Sequence, residues 1–143
     1  MPELSVHTVA PVLQFPVVRQ YMTPGPFTIA QDQSLAIARS VMLEHRVRHL
    51  PVLAAGRIVG MLSERDLLLV ESLPGVSPGE VRVEEAMVQN VFTVAPDDPV
   101  GEVVAVMLDR KLGSAVVLEE DHVVGVFTTV DALAALTDQL AQR

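Results

Sequence analysis

Shifted by 65 residues, the chain falls into register with itself, and this repetition constrains the fold more than any other feature. Met22 then aligns with Met87, Phe27-Thr28 with Phe92-Thr93, Asp32 with Asp97, and Val41-Met42-Leu43 with Val106-Met107-Leu108. Val52-Leu53 meets Val117-Leu118, Val59-Gly60 meets Val124-Gly125, and Asp66 meets Asp131, with no gap between residues 22 and 68. Of these 47 aligned pairs 14 are identical, where chance would give only a few, so the chain is a duplication. Each unit, at about 50 residues, buries too little surface to be comfortable alone. Two such units should pack on one another about an approximate two-fold axis, with equivalent clefts on either side.

Both units read alike. A short extended piece (Phe27–Ile29; Val91–Val94) leads through a polar turn at Asp32 or Asp97-Asp98 into a helix. Leu35, Ala38, Val41 and Met42, or Val100, Val103, Val104 and Met107, fall on one face of it at amphipathic spacing. Two apolar runs follow in each unit, 50–53 with 57–62 and 115–118 with 122–127. Ala54-Ala55-Gly56 and Glu119-Glu120-Asp121 join them, connections short enough for hairpins. A last helix starts near Ser63 or Thr128. The order is strand, helix, strand, strand, helix, an α+β unit used twice. We expect an N-terminal extension over 1–16, units over 17–70 and 82–137, a Pro-Gly-rich connector over 71–81, and a helix end at 138–143.

Composition narrows the function. With Lys and Arg outnumbered and a formal charge of −8, a nucleic-acid or anionic-membrane surface is not expected. The one dense basic cluster, Arg46-Val47-Arg48-His49, is sized for a phosphate rather than a polymer. Cysteine is absent, which removes disulfides, thiolate metal sites and a cysteine nucleophile. The first residues do not read as a signal peptide, and no apolar run approaches a membrane span, so a soluble cytoplasmic protein is expected. His45 and His49 are four apart, but a helix ending before Leu50 would not carry both on one face, and no metal is expected. No Ser/His/Asp set, Walker loop or acid pair suggests catalysis.

The heptapeptides Gly60-Met61-Leu62-Ser63-Glu64-Arg65-Asp66 and Gly125-Val126-Phe127-Thr128-Thr129-Val130-Asp131 both fit Gly-x-x-(Ser/Thr)-x-x-Asp. Two of them in register, with Arg48-His49-Leu50-Pro51-Val52 and Gly113-Ser114-Ala115-Val116-Val117 upstream, make the chain resemble the CBS domain pair, or Bateman module. The resemblance covers about Val17 to Leu136. It implies a non-catalytic regulatory module that binds AMP, ADP, ATP, S-adenosylmethionine or a related ligand between the units. It also implies homodimers and an effector partner protein that reads the signal. An interaction or dimerisation module with degenerate, non-binding clefts is the alternative.

By this resemblance Asp66 and Asp131 hold ribose hydroxyls, while Ser63 and Thr128 contact ribose or phosphate. A carboxylate suits a vicinal diol because charge-assisted hydrogen bonds are the stronger ones. The same Ser/Thr-x-x-Asp spacing is also a helix-capping box, and the two roles are compatible. The helix starts would turn free N–H groups toward the clefts. Ile29, Met61, Val94 and Val126 could cover adenine. Thr28 and Thr93 could present backbone groups to it or be ordinary strand threonines. Pro51 and Ser114 are counted with them as candidate ligand-binding residues. Arg48, His49 and Arg65 are phosphate candidates or a solvated surface cluster. Gly60 and Gly125 read as backbone devices for close approach or a bulge. Unit two has Gly113-Ser114 in place of Arg48-His49, so the two clefts should differ.

Overall fold

The computed structural model describes residues 16–142. Of the expected N-terminal extension all but Pro16 therefore lies outside the described residues. In chain order the elements are β1 (Thr23–Pro24), β2 (Ile29–Ala30), α1 (Leu35–His45), β3 (His49–Ala54), β4 (Arg57–Ser63) and α2 (Glu64–Glu71). Then come α3 (Val83–Ala86), β5 (Thr93–Val94), α4 (Val100–Arg110), β6 (Ser114–Glu119), β7 (His122–Thr128) and α5 (Thr129–Ala141). Short 3-10 turns occupy Val18–Gln20 and Pro78–Glu80. The expected strand-helix-strand-strand-helix order is present in both units.

Local chemistry explains the boundaries. Ser34 caps α1, its Oγ accepting the Ile37 N–H at 3.2 Å. Arg46 and Lys111, both left-handed at φ 56°, end α1 and α4. Each hairpin turns on two residues of positive φ, Ala55-Gly56 and Glu120-Asp121, whose twist matches that of the strands they join. A bulge interrupts each ladder, between Val52 and Leu53 and between Val117 and Leu118. β2 joins β3 and β5 joins β6 in parallel, giving a three-stranded sheet (β2-β3-β4) and a four-stranded one (β1-β7-β6-β5).

The two units exchange their entry segments. Val18 and Met22, which precede unit one, pack into the core of unit two beside Val100, Val103, Met107 and Phe127. Val83 and Met87, which precede unit two, pack into the core of unit one beside Leu35, Ala38, Leu50 and Leu67. Backbone hydrogen bonds repeat the exchange at the 65-residue spacing. The Val18 and Arg19 N–H groups donate to the Asp98 and Pro96 carbonyls at 2.9 and 2.8 Å. The Val83 and Glu84 N–H groups donate to the Gln33 and Gln31 carbonyls at 2.8 and 3.0 Å. Val18 and Val83 are both fully buried, and each such side chain contributes roughly 1.5–3 kcal/mol. A third apolar cluster, Met61, Val116 and Val126, joins the two sheets.

Gly60 and Gly125 are the contact points of the exchange. A Cβ at Gly60 would collide with Met87 Sδ and lie 3.0 Å from the Val88 carbonyl oxygen. At Gly125 it would meet Met22 Sδ and lie 3.1 Å from the Thr23 carbonyl oxygen. Close approach beside a bulge, as the sequence suggested, is what these glycines provide. Gly60→Ala should therefore destabilise the fold by about 1–3 kcal/mol through overpacking. Gly79→Ala, with nothing within 4 Å of the added carbon, should change stability by under about 0.5 kcal/mol. Urea unfolding of both variants checks this, and equal midpoints would contradict it.

Candidate functional site

The two heptapeptides form helix caps. Ser63 is the N-cap of α2, and its Oγ accepts the Asp66 N–H at 3.1 Å. The Ser63 N–H and hydroxyl donate to Asp66 Oδ2 at 2.9 and 2.8 Å. The Thr128 N–H and hydroxyl donate to Asp131 Oδ2 at 2.8 and 3.2 Å. In each cap the Ser or Thr N–H and hydroxyl thus converge on a single oxygen of the Asp carboxylate. Oδ1 of Asp66 accepts none among the described residues, so the capping carboxylate keeps an oxygen for a further donor. The helix starts themselves are less open than the sequence suggested. The Glu64 N–H donates to the Arg48 carbonyl at 2.8 Å, and the Thr129 N–H to the Gly113 carbonyl at 3.2 Å. With the Asp66 N–H held by Ser63, the Arg65 N–H is the first-turn donor of α2 left for another acceptor.

A cavity of about 430 Å³ opens beside the Asp66 cap, within the size range of small-molecule sites. Unit one lines it with Arg48 and His49 at the start of β3, Met61 and Ser63 on β4, and Arg65 and Asp66 in α2. Unit two closes it with the segment after α3 (Val88, Asn90, Val91, Phe92) and the junction from α4 to β6 (Lys111 to Ser114). Its walls therefore combine apolar surface with cations and one capping carboxylate.

The sequence candidates divide. Arg48, His49, Met61, Ser63, Arg65, Asp66 and Ser114 come together in this cavity. Ile29 and Val94 are instead buried in the cores of units one and two, because their parallel pairing with β3 and β6 turns them inward. Thr28, just before β2, and Thr93, in β5, are both exposed. Pro51 is fully buried, and Val126 belongs to the cluster between the sheets. None of these six lines the cavity, nor do Thr128 and Asp131. Phe92, Asn90 and Lys111 were missed, since they belong to unit two and line the site only where the two units meet. Repeating the 65-residue register across the two-fold axis was the one available signal.

Backbone pairing makes the two sides unequal. On the Asp131 side β1 holds β7 through Thr23↔Val126 and Pro24↔Gly125. Gly25, at φ 55°, extends this by donating to the Val124 carbonyl at 3.1 Å, and Phe27 stacks on His45 at 3.7 Å. On the Asp66 side the corresponding segment makes a single bridge, Met61↔Val88. It then leaves β4 through a tight turn in which the Val91 N–H donates to the Gln89 carbonyl at 3.0 Å. That departure turns Asn90 and Phe92 toward the cavity. The expected asymmetry thus has a backbone cause as well as the Arg48-His49 to Gly113-Ser114 difference.

His49 is the site's titratable group near neutrality. Burial pushes its imidazole below the ordinary histidine value, Arg48 adds to the shift, and the Asp66 carboxylate opposes it. His49 is therefore a neutral donor and acceptor at pH 7. The unfolded chain, with its histidine near 6.5, binds more protons than the folded one just below that pH, so stability falls as pH drops through about 6.5 toward the lower folded value. Thermal melts between pH 7.5 and 5.5 should show a smaller loss of Tm for His49→Gln than for the parent. Parallel Tm curves would contradict the assignment. Among the described residues no group of three or more His, Cys, Asp or Glu could hold a metal ion.

The architecture is shared with known proteins. The CBS domain family matches residues 18–72 and 83–138. L-aspartate semialdehyde sulfurtransferase of Methanocaldococcus jannaschii is 27% identical over 118 residues, covering 80% of this chain but 22% of that protein. The chain thus spans well under a third of that relative's length. Hypoxic response protein 1 of Mycobacterium tuberculosis is 25% identical over 114 residues, 79% of this chain and 80% of that one. Among solved structures, the CBS domain pair of protein MJ0100, in complex with 5′-methylthioadenosine and S-adenosyl-L-methionine, superposes with a TM-score of 0.75 at 25% identity. That match covers 85% of this chain and 99% of that one. With both repeats matched by the family, the chain belongs to the CBS domain family as two consecutive repeats.

Proposed function

We propose that the chain is a non-catalytic regulatory module of the cytoplasm. It binds an adenosine-containing ligand, an adenine nucleotide or S-adenosylmethionine, in the Asp66 cleft and passes that state to an effector protein. The observation that carries this reading is the cavity that sets the Ser63–Asp66 cap, Arg48 and His49 of unit one against Phe92 and Ser114 of unit two. A ribose diol can donate to Asp66 Oδ1, the oxygen the cap leaves over, while Met61, Val91 and Phe92 supply apolar walls for a purine. The adenosine ligands in the MJ0100 domain pair support the same class of ligand. A molecule held by both repeats binds one relative arrangement of them better than others and shifts the population toward it. That shift is the signal.

A second copy of the chain is part of the proposal. Leu43 and Leu108, and Leu68 and Leu133, are exposed at equivalent positions of the two units, and Leu136 and Leu140 extend the apolar face of α5. Exposed apolar faces of this extent mark association surfaces.

Two measurements test these statements. An adenine ligand at about 100 times its Kd should stabilise the protein by about 2.7 kcal/mol in thermal melts. Asp66→Asn, whose amide oxygen can still serve the cap, should lose about tenfold or more in affinity, and Asp131→Asn should bind like the parent. Equal losses in the two variants would defeat the one-cleft assignment. Sedimentation of the parent chain should give a dimer, and Leu133→Asp with Leu136→Asp should give a monomer. A monomeric parent would reject the dimer.

A further inference from the structure

The cleft's charge is as unequal as its backbone. Arg48, Arg65 and Lys111 all line the Asp66 cavity, and none of them pairs with a carboxylate among the described residues. Arg19, Arg39 and Arg82, by contrast, are held by Asp97 and Glu119, by Glu71, and by Glu84 and Glu85. Under the 65-residue register the positions that correspond to the three cations on the Asp131 side are Gly113, Val130 and Arg46. Two acids, Glu64 and Asp66, line the same cavity and offset part of this charge, leaving a formal excess of one cation. Asp66 is committed to the cap through Oδ2. Glu64 also lines the small neighbouring cavity with Arg39, and its charge acts on that guanidinium. In a chain of formal charge −8, this is a local concentration of unpaired positive charge facing a pocket.

Lys111 is contributed by the repeat that does not carry the cap. Its backbone is fixed by the left-handed end of α4, where the Lys111 N–H reaches the Leu108 carbonyl at 3.3 Å and the Leu112 N–H the Met107 carbonyl at 2.8 Å. Gly113 beside it leaves open space, with nothing within 4 Å of the Cβ position. A long ammonium side chain on a fixed base, beside an unfilled gap, can meet an anionic group that Arg48 approaches from the other repeat. Two cations on opposite repeats then stabilise negative charge between them, and a ligand carrying its own positive charge is disfavoured there.

Resting on the reading of this cleft as an adenosine site, we infer that it selects phosphorylated adenosines over uncharged or sulfonium-bearing ones, and that Lys111 is the residue of the second repeat that sets this preference. Calorimetric titration of the full chain with ADP, adenosine and S-adenosylmethionine at one ionic strength tests it. ADP should bind about tenfold or more tightly than either of the others. Lys111→Met should lower the ratio of ADP to adenosine affinity by about tenfold, and Lys111→Arg should restore most of it. A merely structural lysine would change both affinities together and leave the ratio alone. Adenosine or S-adenosylmethionine binding as tightly as ADP, or an unchanged ratio in Lys111→Met, would overturn the phosphate preference while leaving the adenosine site in place. No binding of any of the three would overturn both.

Discussion

The exchange of entry segments is the interaction on which the rest of the structure depends. A single unit offers one small sheet with helices on one face, too little surface for a stable core. The missing apolar side chains arrive from the other unit, Val18 and Met22 in one direction and Val83 and Met87 in the other. Because this is done reciprocally, Gly60 and Gly125 must stay bare for the methionines to lie against the strands. The sheets are thereby held face to face through Met61, Val116 and Val126. The cavity is the space this arrangement leaves beside one cap.

That origin explains the character of the site. No single element builds it: unit one supplies the cap and the basic pair, and unit two supplies an aromatic wall, Lys111 and the glycine gap beside it. The capping box is no rival to ligand binding. It fixes the Asp66 carboxylate through one oxygen and so presents the other in a set direction, the kind of preorganisation a binding group requires. On the opposite side the same box is built around Thr128 and Asp131, while the Pro24-Gly25-Pro26 run keeps to β7.

The duplication, the element order, both hairpins, both caps and the glycine contacts were legible in the sequence because each is written in local spacing. Half of the site was legible for the same reason: Arg48, His49, Ser63 and Asp66 sit close to one another along one unit. What could not be read was which face of each short strand meets the other repeat. Ile29 and Val94 carry the right chemistry for an adenine wall, but parallel pairing turns them into the cores. Phe92 and Lys111 carry no local spacing that marks them for the site, and only the packing of unit two on unit one brings them to the cleft.

The reciprocal seams also bear on how such a chain comes apart. Two fused repeats joined by a flexible connector would be expected to melt one after the other, each with its own transition. Here the core of either repeat contains side chains whose backbone belongs to the other's entry, so loosening one removes packing from both. The duplicated architecture therefore behaves as one cooperative unit, and a disturbance on either side of the axis is felt across it without any dedicated relay.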